Sequence, residues 1–184
     1  MSNIVAEKKA VDFLQEHQIT DFPINLNSIF KNLGIGYFSD SSLPSTDDGY
    51  LLVSNKPIDK FNGHKRVIVV NANHSKERQR FTAAHELGHF VLDADNGNRE
   101  IYVHRDVDSY NGDAKEKEWA ANTFAAGILM PRKFVVKVVN AYIDECEGQG
   151  VAALASGAID EIAYRFVVSA PAARRRLRDV GYIK

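Results

Sequence analysis

The string His85-Glu86-Leu87-Gly88-His89 constrains this chain more than any other feature, because it sits in a run that also carries Phe81, Ala84, Val91 and Leu92. In a helix, positions four apart stand one above the other, so the imidazoles of His85 and His89 converge on one point. That is the spacing a shared zinc ion needs, with zinc–nitrogen bonds of about 2.0–2.1 Å. Glu86 lies about 100° around the helix axis from His85, offset from the ligand pair, where it can serve a water beside the metal as general base. Phe81, Ala84, Leu87, Val91 and Leu92 make this stretch of the helix strongly apolar, which predicts burial. Two histidines and a glutamate in a buried helix are costly unless a metal, water or other polar groups satisfy them. With six histidines in 184 residues the string also arises by chance, so other parts of the chain must supply what a metal site lacks.

A catalytic zinc takes three protein ligands and keeps one open position, and a second helical pattern, expected from Glu116 to Met130, offers the third. Glu118, Ala121, Asn122, Ala125 and Leu129 form one stripe, small and apolar apart from one carboxylate and one amide, so this helix can approach the first closely. Glu118 then faces inward, as a metal ligand or as half of a buried ion pair. The rival Glu116 lies on the stripe of Trp119, Ala120 and Thr123 near the helix start, where acidic residues complement the helix dipole.

The surrounding pattern is α+β. Amphipathic helices are expected over residues 4–17, with Ala10, Val11 and Leu14 on the apolar side, and over 26–33, ended by Gly34. Short β-branched and aromatic runs at 35–38, 50–54 and 67–71 read as strands of a small sheet, and the polar segment 39–48 as an exposed loop. Ser75 caps the histidine helix, which runs to Leu92. A strand at 101–104, a helix over 132–146 and two short helices over 152–164 and 170–179 are expected to complete the chain, with 1–150 as the main domain and 151–184 a helical pair packed on it as one compact unit.

Twenty-three basic against 24 acidic residues leave no general pull toward nucleic acid or membranes. Cys146 is the only cysteine and forms no internal disulfide; with no apolar leader and no run of roughly 20 apolar residues, a soluble protein of the reducing cytoplasm is expected.

Residues 78–89, Arg-Gln-Arg-Phe-Thr-Ala-Ala-His-Glu-Leu-Gly-His, followed by residues 118–131, Glu-Trp-Ala-Ala-Asn-Thr-Phe-Ala-Ala-Gly-Ile-Leu-Met-Pro, resemble the ImmA/IrrE family of bacterial and phage metallopeptidases. The resemblance implies a zincin-like fold whose third ligand is a glutamate on a following helix, in an E-x-x-A-N setting that Glu118, Ala121 and Asn122 match. It implies one zinc per chain, although Mn²⁺ or Fe²⁺ can occupy a His/Glu site as well. It also implies an endopeptidase in which Glu86 carries the proton, acting on a protein substrate that is a helix-turn-helix transcriptional repressor, in stress response or mobile-element regulation. Gly127 departs from the family pattern, which has a larger helix former there. Asn122 either holds a ligand histidine or makes a local backbone contact. Tyr50, Tyr102, His104 and Tyr164 are unranked candidates for stabilising an oxyanion. Residues 49–54 are the candidate sheet edge for an extended peptide.

Near the C-terminus, Ile159, Ile162, Ala163 and Phe166, then the turn at Val167–Ser169, then Arg174, Arg175, Arg176 and Arg178 outline a helix-turn-helix-like pair with a basic second helix. Packing or partner recognition is favoured over direct DNA binding, because residues that read base edges are missing around the arginines. The competing class is a non-catalytic regulatory or toxin–antitoxin component with a structural metal. Such a site would close with a fourth ligand and has no use for Glu86.

Overall fold

The computed structural model describes residues 3–92, 102–103, 112–146 and 151–184. In chain order the elements are α1 (Asn3–Glu16), α2 (Leu26–Leu33), β1 (Gly36–Asp40), β2 (Gly49–Val53), β3 (Arg66–Asn71), α3 (Lys76–Leu92), β4 (Tyr102–Val103), α4 (Asp113–Leu129), α5 (Arg132–Glu145), α6 (Val151–Phe166) and α7 (Ala170–Asp179). Local chemistry sets several boundaries. The Asn25 side chain accepts from Ser28 N at the start of α2, and Gly34 ends that helix at φ 65°, a left-handed turn that glycine adopts without strain. Ser75 Oγ accepts from Arg78 N at 3.3 Å, and Ser169 Oγ from Ala172 N at 3.4 Å, which caps α3 and α7.

The sheet order is β1-β3-β2-β4, with β1 parallel to β3 and β2 antiparallel to both neighbours. β3 is central and covered on both faces, which is why it reads as a continuous apolar run. Leu51, Ile68 and Val70 face the main core with α3, while Val67 and Val69 join Phe61 in a small cluster on the other face. The expectation that residues 49–54 form a free edge is overturned: β2 is bonded to β3 on one side and, at Tyr50 and Leu51, to β4 on the other. The β4 pairing joins segments about fifty residues apart, which no local pattern announces.

Smaller differences have local causes. β1 runs on through Ser39 and Asp40, whose backbones pair with Val70 and Asn71, so the polar loop starts later. α4 begins at Asp113 rather than Glu116, and α6 runs over Val151–Phe166, one residue earlier and two later than the expected 152–164. On α1 the buried stripe is Ala6, Ala10, Phe13 and Leu14, and Val11 is exposed.

The two motif helices pack closely because Gly88 has no side chain: a Cβ there would stand 3.1 Å from Ala121 O and 3.2 Å from Ala121 Cα. α1 crosses the other side of α4, where a Cβ on Gly127 would come within 2.8 Å of Ala10 Cβ. Gly127, which looked like a mere loss of helix propensity, is therefore the contact point for α1. Leu87, Phe124, Ala125 and Ile128 fill this layer with no exposure, and each large apolar side chain so buried contributes about 1.5–3 kcal/mol.

α6 lies against α5 and α7, and Ile162, Phe166, Val168, Ala173 and Leu177 join the same core as α1, α3 and α4. Arg176 is buried: its Nε donates to Met130 O at 2.8 Å, and its two terminal nitrogens donate to both Glu7 carboxylate oxygens at 3.0 and 2.6 Å. One member of the basic run is thus a clamp between α7, α1 and the end of α4, while Arg174, Arg175 and Arg178 remain exposed. No helix among the described residues is long and apolar enough to cross a membrane.

Candidate metal centre

Side by side on α3, His85 and His89 are buried, and Glu118 reaches them from the facing helix α4. His85 Nε2 lies 3.0 Å from His89 Nε2 and 3.3 Å from Glu118 Oε2, and His89 Nε2 lies 3.2 Å from Glu118 Oε1. Ligand atoms bound tetrahedrally at about 2.0–2.1 Å from one ion stand roughly 3.3 Å apart, so the spacing fits a single divalent cation. Two imidazoles and a carboxylate are also the donor set such an ion takes. Among the described residues, these three form the group of His, Cys, Asp or Glu side chains able to hold a metal. The rival Glu116 is exposed and outside the group.

Asn122, one turn beyond Glu118, places its amide oxygen 2.9 Å from His85 Nδ1. A carbonyl oxygen only accepts, so Nδ1 carries the proton and the Nε2 lone pair is left for a cation. Burial holds the His85 imidazole below its ordinary pKa, against the hydrogen bond to Glu118. The neutral ring, which is the ligating form, is favoured.

Glu86 is fully buried beside this group. Burial pushes its carboxyl up to about 8; the charge of His89 opposes that rise, while Glu118 and Asp48 add to it. A carboxyl poised near neutrality can take up and release a proton at ordinary pH.

Asp48 was not singled out in the sequence, where it ends a polar loop. It is held by His74 Nδ1 at 2.9 Å and Arg78 Nε at 2.5 Å. It borders a cavity of about 870 Å³, also lined by Thr82, Asn122, Met130, Val168 and Arg175; Asn122, the partner of His85, is where this lining meets the histidine group, and His85, Glu86, His89 and Glu118 do not line it. Nothing local in the sequence marks Asp48, since its partners lie 26 and 30 residues on.

The other candidates fall elsewhere. Tyr50 packs with Phe61, Val67 and Val69 on the sheet face away from α3, so it is removed as an oxyanion donor. Tyr164 is 82 % exposed on α6 and stands in solvent. Tyr102 is placed in β4 opposite Leu51. His104 lies outside the described residues. Cys146 is a partly buried free thiol following α5, not a member of the metal-ligating group.

The model of the family described as the IrrE N-terminal-like domain, a peptidase family, matches residues 46–178. Over 85 residues the chain is 35 % identical to the radiation response metalloprotease IrrE of Deinococcus radiodurans, an overlap of 45 % of this chain and 24 % of that protein. The match thus spans about a quarter of that curated relative's length. A solved transcriptional regulator from Mycobacterium tuberculosis superposes with a TM-score of 0.54 at 19 % identity, over 95 % of this chain and 46 % of that one. At that identity the likeness is one of fold.

Proposed function

This chain belongs to the peptidase family of IrrE N-terminal-like domains, and from that premise we propose that it is a zinc-dependent endopeptidase with His85, His89 and Glu118 as ligands and Glu86 as general base. The observation that carries the reading is the convergence of two imidazole nitrogens and both oxygens of one carboxylate, from two helices, at 3.0–3.3 Å, with the buried Glu86 carboxyl beside them.

When bound, a divalent cation supplies Lewis acidity toward a water molecule and the scissile carbonyl. The chain's own residues do the rest. Asn122 fixes the His85 tautomer and ring plane. A Glu86 carboxylate oxygen takes a proton from the attacking water and delivers it to the nitrogen of the leaving amine. The close-packed α3–α4 layer keeps bulk water from these groups and strengthens their electrostatic interactions. The proposed substrate, on the family resemblance, is an intracellular repressor.

The test is co-expression of candidate repressors with wild type or Glu86→Gln. The substitution keeps size and polarity but removes the proton carrier, so turnover falls by about a hundred- to ten-thousandfold while bound zinc stays at one ion per chain. Equal cleavage by the variant would remove Glu86 from the role. Retained zinc with no cleavage by either protein would favour the regulatory reading.

A further inference from the structure

A second cavity, of about 540 Å³, lies where α2, β1, the first turns of α3 and the α6–α7 turn meet. Its charged lining among the described residues is Lys76 and Arg80, with no carboxylate. The two cations are four apart on α3 and so share one face. Arg80 Nη2 donates to Ile24 O at 2.8 Å, which holds the guanidinium against the cavity wall; its Nε is enclosed and has no hydrogen-bond acceptor among the described residues. Burial weakens its hold on the proton, with Tyr37 the neighbour that opposes this. A half-buried guanidinium anchored at one nitrogen, with a second cation beside it and no carboxylate among the described lining, calls for an anion.

The rest of the lining selects what kind. Asn25 and Asn27 open α2 on the cavity, and the first amides of a helix favour negative charge. Pro23, Ile24 and Val167 supply apolar wall, and the Tyr37 ring, 36 % exposed, forms part of the lining. Two positive charges suit a dianion, and the volume falls in the range of about 300–1,000 Å³ typical of small-molecule sites, well beyond a bare phosphate. We propose that this cavity binds a small organic phosphate, its phosphoryl group on Arg80 and Lys76 and its apolar or aromatic part against Tyr37, Pro23 and Val167. The site is separate from the metal group and does not depend on the peptidase reading.

The test is thermal denaturation of the full chain with inorganic phosphate, with phenyl phosphate, and with chloride at matched ionic strength. Phosphate is expected to raise Tm where chloride does not, and phenyl phosphate to bind about tenfold more tightly, from burial of its ring. Lys76 is exposed at the helix start, so Lys76→Gln folds and must lose most of the phosphate shift; Arg80→Gln must abolish it, if that variant folds. No shift, an equal shift with chloride, an equal shift in Lys76→Gln or no advantage for phenyl phosphate would each overturn the proposal. Phosphate bound at the metal group instead would show itself as a shift indifferent to Lys76.

Discussion

Two helices of this protein each turn charged or polar side chains inward, and they do so on opposite terms. On α7, Arg176 meets a carboxylate and a carbonyl: five-donor chemistry answered by acceptors from α1 and α4. On α3, His85 and His89 present ring nitrogens to each other and to Glu118, three acceptors around one point. The first arrangement is complete with what the chain provides and reads as architecture. The second gathers two imidazoles and a carboxylate at one point, the donor set a divalent cation takes, and this difference, more than burial itself, separates a candidate site from a clamp.

Metal should therefore distinguish the two regions, and its removal gives the largest expected effect. Zinc at about a thousand times its Kd contributes roughly 4 kcal/mol by mass action, or about 8–16 °C in Tm for a chain of this size. Scanning calorimetry with and without a chelator reads this difference, and an unchanged Tm would place both regions in the same class. Next comes Arg176→Met, which leaves Glu7 and Met130 O without their donor. With Glu7 29 % exposed, a loss of about 2–3 kcal/mol in urea unfolding is expected, with zinc stoichiometry intact. Adding Glu7→Leu should recover part of that loss, and no recovery would show that the pair is not the cause.

Asn122→Ala sharpens the comparison on the metal side. It should weaken zinc binding by about ten- to a hundredfold in competition with a chromophoric chelator while leaving the ligands in place. An unchanged affinity would assign Asn122 to packing. The smallest effect is expected for Gly88→Ala: crowding against Ala121 costs about 1–3 kcal/mol, but better helix propensity returns up to about 1 kcal/mol. Net destabilisation accompanied by weaker zinc binding would show that helix separation sets the ligand distances; weakened stability alone would confine Gly88 to packing.

The site was more legible in the sequence than the sheet, for physical reasons. His85, Glu86 and His89 are fixed relative to one another by helix geometry, so their spacing states their arrangement. Glu118 and Asn122 needed only that a stripe of small residues bring a second helix close, and Ala121 against Gly88 does so. Whether β2 is an edge depends instead on a pairing with β4 some fifty residues away. The partners of Arg176 and Gly127 lie on α1, at the far end of the chain, so one looked like part of a basic surface and the other like a weak helix position. Tyr50 failed as a candidate because strand alternation turns it to the face opposite α3, a fact available only once Leu51 was known to face the core.

The central claim is that His85, His89 and Glu118 complete a site for one divalent cation. Elemental analysis of purified wild type, Glu118→Ala and Glu116→Ala tests it most directly. The account predicts one zinc per chain in wild type and Glu116→Ala and close to none in Glu118→Ala. Equal metal content in the two variants, or a wild type that binds no divalent ion when offered it, would contradict it.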